Sequence, residues 1–168
     1  FFIHEQNAMM GRANKFLEIF ATSSFLGFKN TKPNKNIKKR VFCGTPLREE
    51  FYKINLKKNK SSYEKQNYNI LIFGGSLGAD YFSTQIPNMI CSLEKKIFKK
   101  LVITHQVIDN KISSVKTIYR NNKIKANVKS FFPDIIKYFE KADLIIARAG
   151  GSTIAEILVS KKPSLIIP

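Results

Sequence analysis

Asn69-Ile70-Leu71-Ile72-Phe73-Gly74-Gly75-Ser76-Leu77-Gly78-Ala79 is the stretch that decides the fold. The four consecutive apolar side chains from Ile70 to Phe73 leave no polar face. A strand built from them must be covered on both sides, as in a parallel sheet flanked by helices. The glycines that follow let the chain turn sharply, and the spacing beyond them predicts a helix over 79–96. The pattern then recurs: a strand over 101–104, a polar helix over 110–120, a strand over 127–132, a short helix over 134–140, and a strand over 144–147. A Gly150-Gly151 turn, a helix over 152–160 and a strand over 164–167 complete it. Strands alternating with helices predict an α/β fold.

Upstream, 1–3 reads as the end of a strand, and Ala8, Met9, Ala13, Phe16, Leu17 and Phe20 fall on one face of a helix over 8–20. Short strands are expected over 23–28 and 40–43. Periodicity is lost around Lys57-Lys58-Asn59-Lys60-Ser61-Ser62, which marks a solvated linker over 54–67 between a unit at 1–53 and another at 68–168. The chain opens on Phe1-Phe2-Ile3 and closes on Leu165-Ile166-Ile167-Pro168, so both ends fall within or just after expected buried strands. A piece of a longer protein, truncated at both ends, is the expectation.

With 43% hydrophobic residues among 168, the chain can bury a core, which excludes a disordered tail. No run of about 18 uninterrupted apolar residues occurs, so no membrane-spanning helix is predicted. Cys43 and Cys91 stand apart in apolar settings and read as two buried, reduced thiols. The net charge is +17, and it is densest over 29–66, where twelve basic residues face three acidic ones. Such a field would attract nucleic acid or an anionic membrane surface. Abundant Lys, Asn, Ile and Phe is also what biased base composition produces without any selected partner. No RNP-like aromatic strand appears, so nucleic acid is not an expected partner.

Three turns could hold a ligand. Gly74-Gly75-Ser76-Leu77-Gly78-Ala79 joins a buried strand to a helix, where free N–H groups and the helix dipole favour a phosphate. It lacks the second glycine of the dinucleotide fingerprint and the Gly-Lys-Ser/Thr of a P-loop, and a purely structural turn is the alternative. Arg148-Ala149-Gly150-Gly151-Ser152-Thr153-Ile154-Ala155-Glu156 stands at another strand's C-terminal end, the edge where open α/β sheets bind ligands. Thr153 followed three residues later by Glu156 is also a capping box, and the residues alone favour that reading. His4-Glu5-Gln6-Asn7 crowds four polar groups after an apolar strand and either lines a cleft or forms a satisfied surface turn. Asp-x-Asp, Gly-x-Ser-x-Gly and His-Glu-x-x-His are missing, which disfavours metal-dependent chemistry.

Taken in order, H-E-Q-N-A-M-M-G-R-A-N-K at 4–15, G-T-P-L-R at 44–48, I-L-I-F-G-G-S-L-G-A at 70–79, T-H-Q at 104–106 and A-D-L-I-I-A-R-A-G-G-S-T-I-A-E at 142–156 resemble one family over essentially the whole chain. It is the bacterial UDP-N-acetylglucosamine:undecaprenyl-diphospho-muramoyl-pentapeptide N-acetylglucosaminyltransferases, which convert lipid I to lipid II in peptidoglycan synthesis. The resemblance implies a GT-B fold of two Rossmann-like domains facing across a cleft. Transfer would be inverting, without metal or cofactor, on the cytoplasmic face of the inner membrane, with the enzyme bound peripherally.

By the same resemblance, Ser76 would contact the donor diphosphate and Arg48 would bind the same donor. Phe132 would offer backbone groups to uracil. Gly151, Ser152, Thr153, Ile154, Ala155 and Glu156 would line the nucleotide, with Glu156 accepting from the ribose hydroxyls. Asn7 would reach donor or acceptor from the facing domain. Arg148 and Asn14 match motif positions without a defined role. Thr45 and Ser83 depart from the pattern, each standing where the family has Asn. The catalytic base is left unassigned, because the family's N-terminal glycine-rich loop with its histidine would precede Phe1, and this stretch alone is expected to be inactive. Another GT-B transferase with a different nucleotide sugar, or a noncatalytic basic remnant, are the alternatives.

Overall fold

The computed structural model describes residues 1–33, 39–54 and 66–168, apart from the side chains of 76–79 and 98. The expected linker lies mostly outside the described residues. On either side of it the chain forms a separate parallel sheet.

The first sheet has the order β1 (Phe2–Glu5), β2 (Ser23–Leu26), β3 (Arg40–Phe42). Between β1 and β2 the helix α1 spans only Arg12–Leu17, not 8–20. Tertiary hydrogen bonds explain the late start. The N–H of Met10 donates to the Lys32 carbonyl and the N–H of Lys32 to the Ala8 carbonyl, holding 8–10 extended. The apolar stripe foreseen there is not a core face, since Met9, Phe16 and Phe20 are exposed. A buried ion pair ties α1 to β3 instead. Arg40 Nε and Nη2 each donate at 2.7 Å to the two carboxylate oxygens of Glu18. Arg40 Nη1 donates to the Pro33 carbonyl at 2.6 Å.

The second sheet contains β4 (Tyr68–Phe73), β5 (Leu101–Gln106), β6 (Lys125–Lys129), β7 (Leu144–Arg148) and β8 (Ser164–Ile167), in the order β6-β5-β4-β7-β8. Every pairing is parallel. Side chains alternate faces along a strand, and β4 shows why its run is wholly apolar. Ile70 and Ile72 enter one cluster with Phe82, Ile103, Val115, Tyr119 and Val128. Leu71 and Phe73 enter the other with Phe139, Ile145, Ala147 and Ile157. Each such buried side chain contributes roughly 1.5–3 kcal/mol.

Helix α3 (Gly75–Cys91) begins four residues before its expected start at Ala79 and ends earlier, with Ser92 Oγ donating to the Met89 carbonyl. Side-chain competition for a carbonyl of this kind favours a helix end. The chain resumes in α4 (Lys95–Phe98), then passes through β5 into a 3-10 turn (Asp109–Lys111) and α5 (Ile112–Asn121). Lys123, at φ +57, turns the chain early into β6, which occupies 125–129 and leaves Phe132 beyond the strand. Helices α6 (Ile135–Lys141) and α7 (Gly151–Ser160) complete the unit.

One further helix, α2 (Glu49–Tyr52), precedes the linker in sequence yet packs on the second core. Phe51 is fully buried, edge-on to Phe139 at 5.0 Å. Leu47 and Ile54 pack against the same cluster. Of the two thiols expected to be buried, Cys43 is exposed and Cys91 half-buried.

Candidate functional site

The strand order reverses at β4. The chain winds outward through β5 and β6, then crosses back to place β7 on the other side of β4. Such a switch point opens a crevice at the carboxyl ends of the two central strands, because their connections leave toward opposite faces. Phe73 of β4 is in register with Ala147 of β7, so the corners at Gly74-Gly75 and Ala149-Gly150-Gly151 leave neighbouring strands at the same edge.

Each corner opens directly into a helix. Gly74 precedes α3, and Gly75 takes φ +64, a conformation open to glycine at little cost. Gly150 precedes α7. A glycine cap has no side chain to occupy the first-turn N–H groups, and neither cap makes a side-chain hydrogen bond, so both helices turn their N-terminal N–H groups and positive dipole end toward this edge. Ser76 lies in the first turn of α3, and its side chain is outside the described residues. Beside this corner, Gly74, Gly75, Gln106, Val107, Ile108, Asp109 and Ser130 line an open cavity of about 360 Å³. Gln106 Nε2 donates to the Ser130 carbonyl at 2.9 Å, bracing its far wall. Ser83 Oγ accepts from the Ile108 N–H at 3.0 Å, so the departure from Asn still leaves a polar anchor there.

At the second corner the capping-box reading fails. Helix α7 starts at Gly151, which puts Thr153 inside the first turn and not at the cap. Glu156 accepts instead from Arg48 Nη2 at 3.0 Å, across 108 positions of sequence. The Glu156 side chain is 16% exposed and that of Arg48 50%. Burial pushes the Glu156 carboxyl above its usual range, and the Arg48 guanidinium offsets this only in part. Arg48 is itself placed by Phe51, whose ring lies 5.1 Å beneath the guanidinium.

The His4-Glu5-Gln6-Asn7 loop is organised from within. Glu5 is 2% exposed, and its carboxylate accepts from the Asn7 and Gly11 N–H groups and from the side-chain amides of Asn7 and Asn14, at 2.8–3.1 Å. Burial alone would raise its pKa, but these four donors together hold it below the usual value. Asn14 thus gains a role, also donating to the His4 carbonyl. His4 Nε2 lies 2.9 Å from the Gly44 carbonyl oxygen, tying the loop to the segment that carries Arg48. The loop meets the second corner directly: a Cβ on Gly151 would stand 2.5 Å from the Gln6 carbonyl oxygen.

Of the residues singled out in the sequence, Arg48, Gly151 and Glu156 come together with the Gln6-Asn7 loop, and Ser152, Thr153, Ile154 and Ala155 follow in α7. Phe132 is buried against Tyr138, ring centroids 4.9 Å apart. Arg148 ends β7 and borders a small separate pocket with Tyr81, Phe82, Ile167 and Pro168. Glu5, Gln6 and Gln106 lie within two of the quoted motifs, but nothing in the sequence sets them apart from their neighbours. Among the described residues, no three His, Cys, Asp or Glu side chains gather. No helix among them is long and apolar enough to cross a membrane.

Residues 69–168 match the family described as Glycosyltransferase family 28 C-terminal domain. The chain is 37% identical over 167 residues to the UDP-N-acetylglucosamine--N-acetylmuramyl-(pentapeptide) pyrophosphoryl-undecaprenol N-acetylglucosamine transferase of Bartonella quintana, covering 99% of this chain and 44% of that one. A relative of the same name from Agrobacterium fabrum is 35% identical over 166 residues with the same coverage. The chain therefore spans less than half the length of these curated relatives. Among solved structures it is similar to Acinetobacter baumannii MurG, with a TM-score of 0.65 and 30% identity over 93% of this chain and 42% of that one. The kitacinnamycin glycotransferase, at a TM-score of 0.52 and 16% identity over 94% of this chain and 42% of that one, shares the fold.

Proposed function

The chain belongs to the family of the glycosyltransferase family 28 C-terminal domain. From that premise we propose that it is the donor-binding part of an enzyme that transfers N-acetylglucosamine from UDP-N-acetylglucosamine to lipid I. Attack by the muramoyl 4-hydroxyl on the anomeric carbon, with inversion, gives lipid II for peptidoglycan and expels UDP. The names of the relatives support this reading, and so does one observation: both glycine corners open into helix N-termini at one switch-point edge, with Arg48 and Glu156 beside the second.

The chemistry suits that arrangement. As the glycosidic bond breaks, negative charge grows on the departing diphosphate. Preorganised N–H groups and a guanidinium meet it without reorganising at the moment of reaction. One helix terminus contributes roughly 0.3–2 kcal/mol, so two termini and Arg48 must converge. In this reading Ser76 contacts the diphosphate, Phe132 offers backbone groups to uracil, and Gly151 to Ala155 line the nucleotide. Glu156 accepts from the ribose hydroxyls, and Asn7 approaches the sugar from the facing loop. Holding donor and acceptor in register supplies the rest of the rate advantage.

We further propose that 1–53 and 68–168 are parts of two facing domains joined by 54–67, and that the chain alone binds donor without turnover. The charge of +17 would hold the protein peripherally against an anionic membrane on the cytoplasmic face, where a lipid-linked acceptor resides. Titration calorimetry with UDP-N-acetylglucosamine tests the donor site. Glu156→Ala and Ser76→Ala should each weaken binding about tenfold or more, the loss expected for a charge-assisted or phosphate-directed contact. Equal affinity in all three proteins would defeat the assignment.

A further inference from the structure

The two side chains that the donor-site reading gives to different parts of one ligand are bonded to each other. Arg48 Nη2 donates to Glu156 Oε1 at 3.0 Å. A guanidinium bound to a carboxylate is a poor partner for phosphate, and a carboxylate bound to a guanidinium is a poor acceptor for ribose hydroxyls. Both groups are positioned by contacts that do not depend on a ligand. Arg48 lies over the buried Phe51 ring, and Glu156 projects from the second turn of α7. The carboxylate is the more enclosed of the two, so losing the guanidinium leaves it needing new donors.

We propose that Arg48 is a specificity-determining residue: its ion pair with Glu156 closes the ribose acceptor to ligands that carry no diphosphate. The inference rests on the donor-site reading above. A nucleoside diphosphate or its sugar conjugate repays the broken pair twice, by offering ribose hydroxyls to Glu156 and phosphate oxygens to Arg48. A nucleoside offers only the hydroxyls and leaves the half-exposed guanidinium to water alone. The pair therefore converts one guanidinium into discrimination at both ends of the ligand. It also raises the penalty for occupancy by free uridine.

The test is a thermodynamic cycle in the full chain, with uridine and UDP as ligands and Arg48→Gln and Arg48→Met as variants. Gln and Met keep an aliphatic stem over Phe51, so the position of α2 is retained, and a thermal melt of each variant verifies it. Removing the competitor should raise uridine affinity about two- to fivefold, the value of a partly exposed ion pair. UDP affinity should fall about tenfold or more through loss of a charge-assisted phosphate contact. The Glu156 carboxyl, followed by carbon NMR, should titrate at higher pH in both variants, which reports that the pair is gone; affinities that move in opposite directions for uridine and UDP are the change that a merely structural Arg48 would not produce.

Uridine affinity that stays the same or falls in both variants would overturn the proposal. It would mean that Glu156 serves arginine and ribose together through its two oxygens. Wild-type chain that binds neither UDP nor uridine would overturn the donor-site reading itself, and this inference with it.

Discussion

The carbonyl oxygen of Gln6 lies 2.5 Å from where a Cβ on Gly151 would stand, and the Gln6 Cγ lies 3.0 Å from it. No side chain fits between the polar loop of the first sheet and the start of α7. The contact joins the two sheets at the edge where the donor is proposed to sit.

Gly151→Ala should therefore act on geometry. Relief requires the loop and α7 to separate, because the nearest obstruction is backbone and not the end of a flexible side chain. Overpacking of this kind costs about 1–3 kcal/mol. Urea denaturation should show that loss, together with weaker binding of UDP-N-acetylglucosamine; unchanged stability and affinity would mean that the two units slide apart freely.

Glu5 should be the residue on which the loop depends. Replacement by Ala leaves the Asn7 and Gly11 N–H groups without their acceptor and should cost about 1.5–3 kcal/mol, the range for hydrogen bonds to a charged group. The sign of its pH dependence follows from a depressed folded pKa. The contribution is present above the unfolded value of 4.5 and is lost as pH falls through the lower folded value. Denaturation curves of wild type and Glu5→Gln should converge in acid. Parallel curves down to pH 3 would refute the assignment.

Arg40 and Glu18 form a pair whose side chains are each 8% exposed. Removing one partner strands a buried charge, which costs about 3–5 kcal/mol. Arg40→Met should be strongly destabilising, and adding Glu18→Leu should recover much of the loss. A double variant no better than the single one would show that the damage is to packing.

How far such features were legible in sequence depends on the range of the forces involved. The β4 and β7 runs were readable because burial on both faces leaves a local apolar signature at Ile70–Phe73 and Leu144–Ala147. The helix expected from Ala8 was not, since the Ala8 and Met10 backbone groups are claimed by Lys32 from elsewhere in the chain. Thr153 and Glu156 have the spacing of a capping box, yet Glu156 is claimed by Arg48. The site motifs were visible as residues, while their convergence required the strand order, which periodicity does not encode. Residue Phe51 reads as an ordinary apolar position near a linker, and only the packing shows it buried in the second core beneath Arg48.

His105 supplies a second pH signature. It is fully buried, 2.9 Å from the Tyr119 hydroxyl through Nδ1, and burial lowers its pKa to about 4. The unfolded state, at 6.5, then binds more protons than the folded state between those values, so stability rises with pH across that window. Between pH 5 and 6.5 the slope should be up to about 1.4 kcal/mol per pH unit from this group. His105→Phe should flatten it. An unchanged slope would locate the dependence elsewhere.

The central claim is that the carboxyl edge between β4 and β7 receives a uridine diphosphate sugar. Amide NMR of the isotopically labelled chain, titrated with UDP-N-acetylglucosamine, addresses it most directly. The predicted result is saturable shifts concentrated at Gly74, Gly75, Gly150, Gly151 and the first two turns of α7, with Arg48 Nε moving alongside. Shifts confined to the groove that Lys116, Arg120, Lys123 and Lys125 line between α5 and β6, or none at millimolar ligand, would contradict it.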